Sequence, residues 1–186
     1  ELDTNNSMQL EYQDYLNKYS TRFASTMHYK LNAKHKFQLG SVYTHYNYQF
    51  ESKFRDDETF QMVQLLDEKG NSGAMQNFVS WKYRITEDLT MVSGLHYMHF
   101  FLNNSNSIEP RAALKWKFAP TQSINAGFGV HSRLESMTAY FAKHTDDAGV
   151  ITQPNKNLGL GKARHYVVGY ENLLSENLMF KTEVYY

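Results

Sequence analysis

Hydrophobic and polar residues alternate one by one through most of this chain. Between Glu109 and Phe118 the even positions hold Pro, Ala, Leu, Trp and Phe, whereas Glu, Arg and Lys occupy most of the odd ones. The same period of two recurs over residues 79–85, 123–131 and 178–186. Alternation of this kind is typical of a β-strand with one apolar and one polar face. The chain is therefore predicted to be all-β.

The alternating runs divide the chain into eight predicted strands. Their approximate spans are Ser20–Ala33, Lys36–Phe54, Ala74–Ile85, Leu89–Leu102, Ser107–Phe118, Ser123–Leu134, Ala163–Leu174 and Leu178–Tyr186. Four short polar connections, near residues 34, 87, 120 and 176, alternate with the longer connections Arg55–Gly73, Asn103–Asn106 and Glu135–Lys162. This order predicts an up-and-down antiparallel sheet with every short turn at one end.

Strand length distinguishes a membrane barrel from a soluble barrel. The runs are about 9 to 19 residues long, whereas strands of globular proteins average ~5–6 residues and tilted membrane strands need ~9–11. Aromatic residues near the short turns suggest an interfacial girdle, and they are Phe37, Trp81, Tyr83, Trp116 and Phe118. We therefore predict transmembrane β-barrel strands in a bacterial outer membrane. The alternative is a soluble barrel, in which the same aromatic residues would pack in the hydrophobic core.

Composition supports this class and excludes others. The 186 residues carry a formal net charge of +0, so nucleic acid is not predicted as a partner. Cys is 0, which excludes a disulfide framework and thiolate metal sites. Aromatic content is 15% while mean hydropathy is −0.61, as expected for strands with one apolar and one wet face. The chain is predicted to be a single region over residues 1–186.

No group of residues has the spacing of a catalytic or metal site. His96 and His99 are three apart on a predicted strand, so they should face opposite sides and not share one ion. The acidic groups at 56–58 and 146–147 lack the spacing of a calcium loop, and residues 159–162 lack that of a phosphate loop. We therefore predict no enzyme activity, no cofactor and no metal.

Alternation also assigns the two faces of the predicted barrel. The residues predicted to face lipid are Leu114, Trp116, Ile124, Phe128, Val130, Val168 and Phe180. Those predicted to face the lumen are Arg111, Lys115, Asn125, His131 and Glu171. Both long connections, Arg55–Gly73 and Glu135–Lys162, are predicted to form the outer mouth. In the second, Met137, Tyr140 and Phe141 are predicted to bind a ligand by stacking, the alternative being that they pack the loop against the rim.

Three segments of the second half carry a more specific signal. Ser107–Phe118 opens with Glu-Pro-Arg, Gln122–Ser132 contains Gly-x-Gly-x-His-Ser, and Ala163–Glu171 contains His-Tyr-x-x-Gly-Tyr-Glu. These segments, in this order, resemble the barrel of TonB-dependent receptors of the Bacteroidetes type. The matching positions are Glu109, Arg111, Gly127, Gly129, His131, His165, Gly169 and Glu171.

The resemblance implies active uptake of a ligand through a plugged barrel of about 22 strands. The resemblance implies that this chain is an internal part of the barrel and carries no plug domain itself. TonB would act through a plug domain elsewhere in the receptor. Siderophore, glycan, peptide and vitamin all remain open as the ligand. The alternative is a complete small barrel of eight strands with a structural or adhesion role. A segment of a larger barrel should have two open edges, whereas a small barrel should close on itself.

Overall fold

The computed structural model describes residues 10–146 and 148–186. Its strands are β1 Tyr12–Lys30, β2 His35–Arg55, β3 Met62–Arg84, β4 Leu89–Phe100, β5 Ser105–Ala119, β6 Gln122–Arg133, β7 His144–Thr145, β8 Ile151–Thr152, β9 Gly161–Ser175 and β10 Leu178–Tyr185. A short helix, α1 Met137–Phe141, lies between β6 and β7. Within the described ranges, no helix has the length and apolar character needed to cross a membrane.

Eight strands form one sheet in the order β1-β2-β3-β4-β5-β6-β9-β10, and every neighbouring pair is antiparallel. The predicted up-and-down sheet is therefore confirmed. Sequential antiparallel pairing puts the four short turns, which follow β1, β3, β5 and β9, at one end, the turn end. The opposite, loop end carries the long connection between β6 and β9, which holds α1 and the β7-β8 hairpin. No ladder joins β1 to β10 within the described residues, so these two strands are the edges of the sheet.

The register divides the side chains of the sheet between two faces. We call the face that α1 packs on the inner face, and the opposite one the outer face. On β5, Lys115 is paired with Asn125 and lies on the inner face, whereas Leu114 is paired with Ala126 and lies on the outer face. The outer face exposes a broad apolar band that crosses all eight strands, and Phe23 and Val168 are 66% and 57% exposed. Exposed apolar surface of this extent is typical of contact with lipid or with another apolar partner.

The prediction of a long loop over Arg55–Gly73 is wrong. β2 continues to Arg55, and β3 already begins at Met62, so only residues 56–61 connect them. Residues 67–73 looked like a loop because they are polar and rich in Gly, yet Glu68 is paired with Phe50 and Gly73 with His45. The sheet extends past the apolar band of its outer face, and the outer residues of this extension need not be apolar. The alternation is therefore lost over residues 67–73, although the backbone pairing with β2 continues.

The predicted start of β1 is also wrong, because both faces of residues 12–19 mix polar and apolar side chains and show no alternation. The sequence predicted the first strand from Ser20, whereas the ladder to β2 begins with the pair Tyr12 and Phe54. The segment between β6 and β9 was predicted as a loop, and the helix α1 within it was not anticipated. A five-residue helix is too short to show a helical period in the sequence.

Candidate functional site

Glu109 on β5 is the centre of a polar cluster on the inner face. Its side chain is only 1% exposed. Arg111 Nη2 donates a hydrogen bond of 2.8 Å to Glu109 Oε2, and the Ser132 hydroxyl donates to Oε1. His96 Nδ1 lies 3.0 Å from Oε2. Since a buried carboxylate is costly unless its oxygens are paired, the hydrogen bonds from Arg111 and Ser132 stabilise it in one orientation.

The strand register brings His96 to Glu109. The two residues are directly paired between β4 and β5, and His96 Nε2 lies 3.3 Å from Gln76 Oε1 on β3. His99 instead contacts Phe101, with ring centroids 4.7 Å apart. The expected separation of His96 from His99 is thus observed. In the described part of the chain, no group of three or more His, Cys, Asp or Glu could hold a metal ion.

A hollow of about 500 Å³ opens on the inner face beside this cluster. Its floor consists of small residues on neighbouring strands, which are Ser80, Gly94, Ala113, Gly127 and Gly129. Its walls combine the apolar Phe78, Val92 and Val167 with His96, Arg111, His131 and His165. The His131 and His165 rings have centroids 4.9 Å apart and nearly perpendicular planes. A Cβ on Gly129 would lie 2.9 Å from His131 Nε2, so a glycine there leaves room for that ring. The hollow has the volume of a small-molecule site.

A second carboxylate, on β9, contacts three other strands nearer the turn end. Glu171 Oε2 on β9 accepts a hydrogen bond of 2.6 Å from Lys115 Nζ and one of 3.2 Å from the Ser123 hydroxyl. Lys181 Nζ on β10 lies 3.9 Å from Oε1. The side chains are partly exposed, so solvent screens the ion pairs and they stabilise the sheet only modestly.

The two sets of residues assigned by alternation lie on opposite faces. Arg111, Lys115, Asn125, His131 and Glu171 share the inner face. The set predicted to contact lipid lies on the outer face. Gly169 lies opposite Asn125, whose amide oxygen would be only 2.6 Å from a Cβ at that glycine. That the inner face lines a lumen remains a prediction.

The residues predicted to bind ligand from the long loop lie in a buried cluster. Met137, Tyr140 and Phe141 of α1 are 4%, 0% and 8% exposed. The ring centroids of Tyr140 and Phe100 are 5.3 Å apart, and those of Phe141 and Tyr48 are 4.9 Å apart. Burial raises the pKa of the Tyr140 phenol, which keeps it neutral. In this conformation α1 packs the loop against the inner face, and ligand contact by these side chains remains a prediction.

The sequence did not single out Glu109 as the centre of the cluster. Alternation placed Glu109 on the polar face, and it was among the positions that carry the family resemblance. Its burial, however, depends on β4 and β6, which supply His96 and Ser132. Neither side chain is near Glu109 in the sequence. The β4-β5 register pairs His96 with Glu109 directly, whereas Ser132 reaches the carboxylate from beyond the last β5-β6 pair, Arg111 and Gly129.

An antiparallel sheet with an exposed apolar outer face and polar residues on its inner face is the arrangement found in the walls of transmembrane β-barrels. The family model described as "TonB dependent receptor-like, beta-barrel" matches residues 2–186. The chain therefore belongs to the family of TonB-dependent receptor-like β-barrels. No curated protein gives a significant match in sequence.

Solved structures share the fold at low sequence identity. The copper transporter OprC aligns with a TM-score of 0.67 and 10% identity, over 96% of this chain and 31% of that protein. A mutant of the ferric enterobactin receptor PfeA from Pseudomonas aeruginosa gives 0.67 and 11%, over 98% and 28%. The siderophore receptor PiuA from Acinetobacter baumannii gives 0.64 and 14%, over 94% and 32%. This chain thus spans about a third of the length of each.

Proposed function

We propose that this chain forms part of the barrel wall of an outer-membrane receptor that takes up a ligand by TonB-dependent active transport. The observation that carries the proposal is the separation of the two faces of the sheet. The outer face exposes Phe23, Trp116 and Val168, which a bilayer would cover, while the inner face holds the Glu109 cluster and a hollow of about 500 Å³. Such a wall separates lipid from a polar pathway.

The lengths of the connections give the proposed wall its orientation. Outer-membrane barrels have short turns on the periplasmic side and longer loops outside. The turn end is therefore assigned to the periplasm, and the segment Glu135–Lys162 to the outer mouth. TonB would act from the periplasm through a plug domain that is not among these residues. We assign this wall a role in transport and no catalytic step.

Two observations favour a part of a large barrel over a complete small one. β1 and β10 are the edges of the sheet in the described residues, and a closed barrel of eight strands would join them. The solved structures with this fold are about three times as long as this chain. An edge strand leaves backbone groups unpaired, and these would pair with further strands of the same receptor.

Surface labelling of the complete receptor in intact cells tests this orientation. Since these residues contain no Cys, single cysteines can be placed at Phe60 in the β2-β3 connection and at Pro120 in the β5-β6 turn of a cysteine-free receptor. A membrane-impermeant maleimide should label the cysteine at position 60 in intact cells, and the one at position 120 only after the outer membrane is opened. Equal labelling of both in intact cells, or a receptor absent from the outer membrane, would refute the proposed topology.

Growth comparison tests the transport function. A strain lacking the receptor gene and a strain lacking TonB should both fail to grow on at least one and the same nutrient. Reintroducing the receptor gene should restore growth of the first strain but not of the second. If no nutrient distinguishes the receptor deletion from the parent strain, the transport proposal fails.

A further inference from the structure

Three lysines lie side by side on the inner face near the turn end. Lys36 on β2 is directly paired with Lys30 on β1 and with Lys82 on β3. Paired Cα atoms of antiparallel strands are ~4.5–5.5 Å apart, and like charges in such positions repel each other. Among the described residues, no carboxylate lies within ion-pair distance of these three lysines. The sheet keeps them together despite their repulsion.

The cationic surface extends toward the turns. Arg84 on β3 and Lys117 on β5 share the inner face with the three lysines, and both are exposed without an ion pair to any described residue. We call Lys30, Lys36, Lys82, Arg84 and Lys117 the basic row. Because the whole chain has a formal net charge of +0, the row results from local segregation of charge and not from a generally basic sequence.

The strand carboxylates of this part of the inner face are paired with other cations, and the exposed Glu87 and Asp88 lie in the β3-β4 turn beside Arg84 and Lys117. Glu109 is buried against Arg111, and Glu171 is paired with Lys115. Glu183 lies 2.9 Å from Lys181. Each of these carboxylates already has a cation of its own. The five cations of the row thus exceed the two turn carboxylates, and the net positive charge of this surface concentrates anions.

The basic row is continuous with the hollow. Gln38 and Ser80 line the hollow and are two residues from Lys36 and Lys82 on the same face. The hollow adds Arg111, His131 and His165, whose ring and guanidinium nitrogens are potential hydrogen-bond donors. A solute passing along the inner face from the loop end would meet these nitrogens first and the lysines next.

We propose that the hollow and the basic row form one anion-binding strip, and that the transported solute carries several phosphate or carboxylate groups. This inference rests on the proposed transport function. Lysine ammonium groups are mobile point charges that attract anions without the rigid bidentate geometry of arginine. Several such weak sites in sequence favour entry while still allowing release, as transport requires.

Calorimetric titration of the complete, detergent-solubilised receptor tests the strip, with sodium pyrophosphate and sodium citrate as separate probes. The test variant combines Lys30→Gln, Lys36→Gln and Lys82→Gln. The matched control combines Lys18→Gln, Lys53→Gln and Lys69→Gln, which remove the same charge on β1, β2 and β3 toward the loop end, outside the strip. We expect the wild type and the control to bind at least one probe, and the test variant to bind it at least tenfold more weakly. Binding of pyrophosphate alone identifies phosphate as the preferred group, and binding of citrate alone identifies carboxylate.

Two further measurements distinguish an affinity loss caused by the missing charge from one caused by damage to the fold. A triple Lys→Arg variant at positions 30, 36 and 82 should retain affinity within about threefold, and wild-type affinity should fall as NaCl is raised. Heat-modifiable migration on gels checks that each variant is folded. Failure of the wild type to bind either anion, or equal affinity in the test variant, overturns the inference. The transport proposal is then still decided by its own growth and labelling experiments.

Discussion

The ring of Phe78 on β3 covers Gly40 on β2, and a Cβ atom at Gly40 would lie 2.3 Å from two carbons of that ring. The two residues are directly paired on the inner face. Phe78 also lines the hollow, so the absence of a side chain at Gly40 determines where one wall of the hollow lies. A glycine inside a long strand is explained here by the close approach of an aromatic ring.

Gly40→Val should therefore displace the Phe78 ring and destabilise the barrel by about 1–3 kcal/mol, the usual cost of overpacking. Urea unfolding of the complete receptor in detergent measures the change. Gly159→Ala is the matched control, because a Cβ at that position would meet nothing within 4 Å. Equal loss of stability in both variants would contradict the packing argument.

Glu109→Gln should weaken the polar cluster while preserving its shape. The amide removes the negative charge that faces Arg111 and His96. Its NH2 group cannot accept a hydrogen bond, so one hydrogen bond of the buried cluster is lost or weakened. We expect a loss of about 1–3 kcal/mol in unfolding free energy, as for other buried hydrogen-bonding groups. Glu176→Gln, in the exposed β9-β10 turn, should change nothing measurable. A Glu109 variant as stable as the control would show that the cluster does not stabilise the wall.

Two adjacent alanines on β5 offer a direct test of which face contacts lipid. Ala112 is paired with Phe128 on the outer face, and Ala113 is paired with Gly127 on the inner face beside the hollow. Ala112→Arg should cost about 2–4 kcal/mol if it lies near the bilayer midplane, whereas Ala113→Arg should be tolerated. The amount of folded receptor in the outer membrane measures both effects. The reverse ranking would exchange the lipid face and the polar face.

Tyr140→Ala should release α1 from the inner face. Its side chain is fully buried against Phe100, and loss of a buried aromatic ring costs about 3–5 kcal/mol in a rigid core. Limited proteolysis should then cut the segment between β6 and β9 faster while the barrel stays resistant. Tyr140→Phe keeps the ring and should be cut at the wild-type rate. If the alanine variant is also cut at that rate, α1 is not held by this contact.

Shortening Glu135–Lys162 to a few residues in the complete receptor should leave membrane insertion and protease resistance of the barrel intact. Binding of the solute identified by growth comparison should fall at least tenfold, equivalent to about 1.4 kcal/mol. A control that removes only the β7-β8 hairpin keeps α1 and should bind normally if α1 supplies the contacts. Unchanged binding in the shortened receptor would exclude this loop from ligand capture.

The sequence by itself determined the eight-stranded antiparallel order and the division between the two faces. Both depend on local information, since side chains alternate along a strand and short turns join neighbours. The contrast of Leu114 and Trp116 with Arg111 and Lys115 was enough to assign the faces of β5 and, through pairing, of β6 and β9.

Only the tertiary structure decided where the strands end at the loop end and which polar residues meet. Residues 67–73 look like a loop because they are polar and rich in Gly, and their pairing with β2 cannot be inferred from their own composition. The contact of Glu109 with His96, and the row formed by Lys30, Lys36 and Lys82, depend on the registers of separate strand pairs. A shift of one residue in a register would move these side chains to the other face, and no local pattern fixes a register between strands that are distant in sequence.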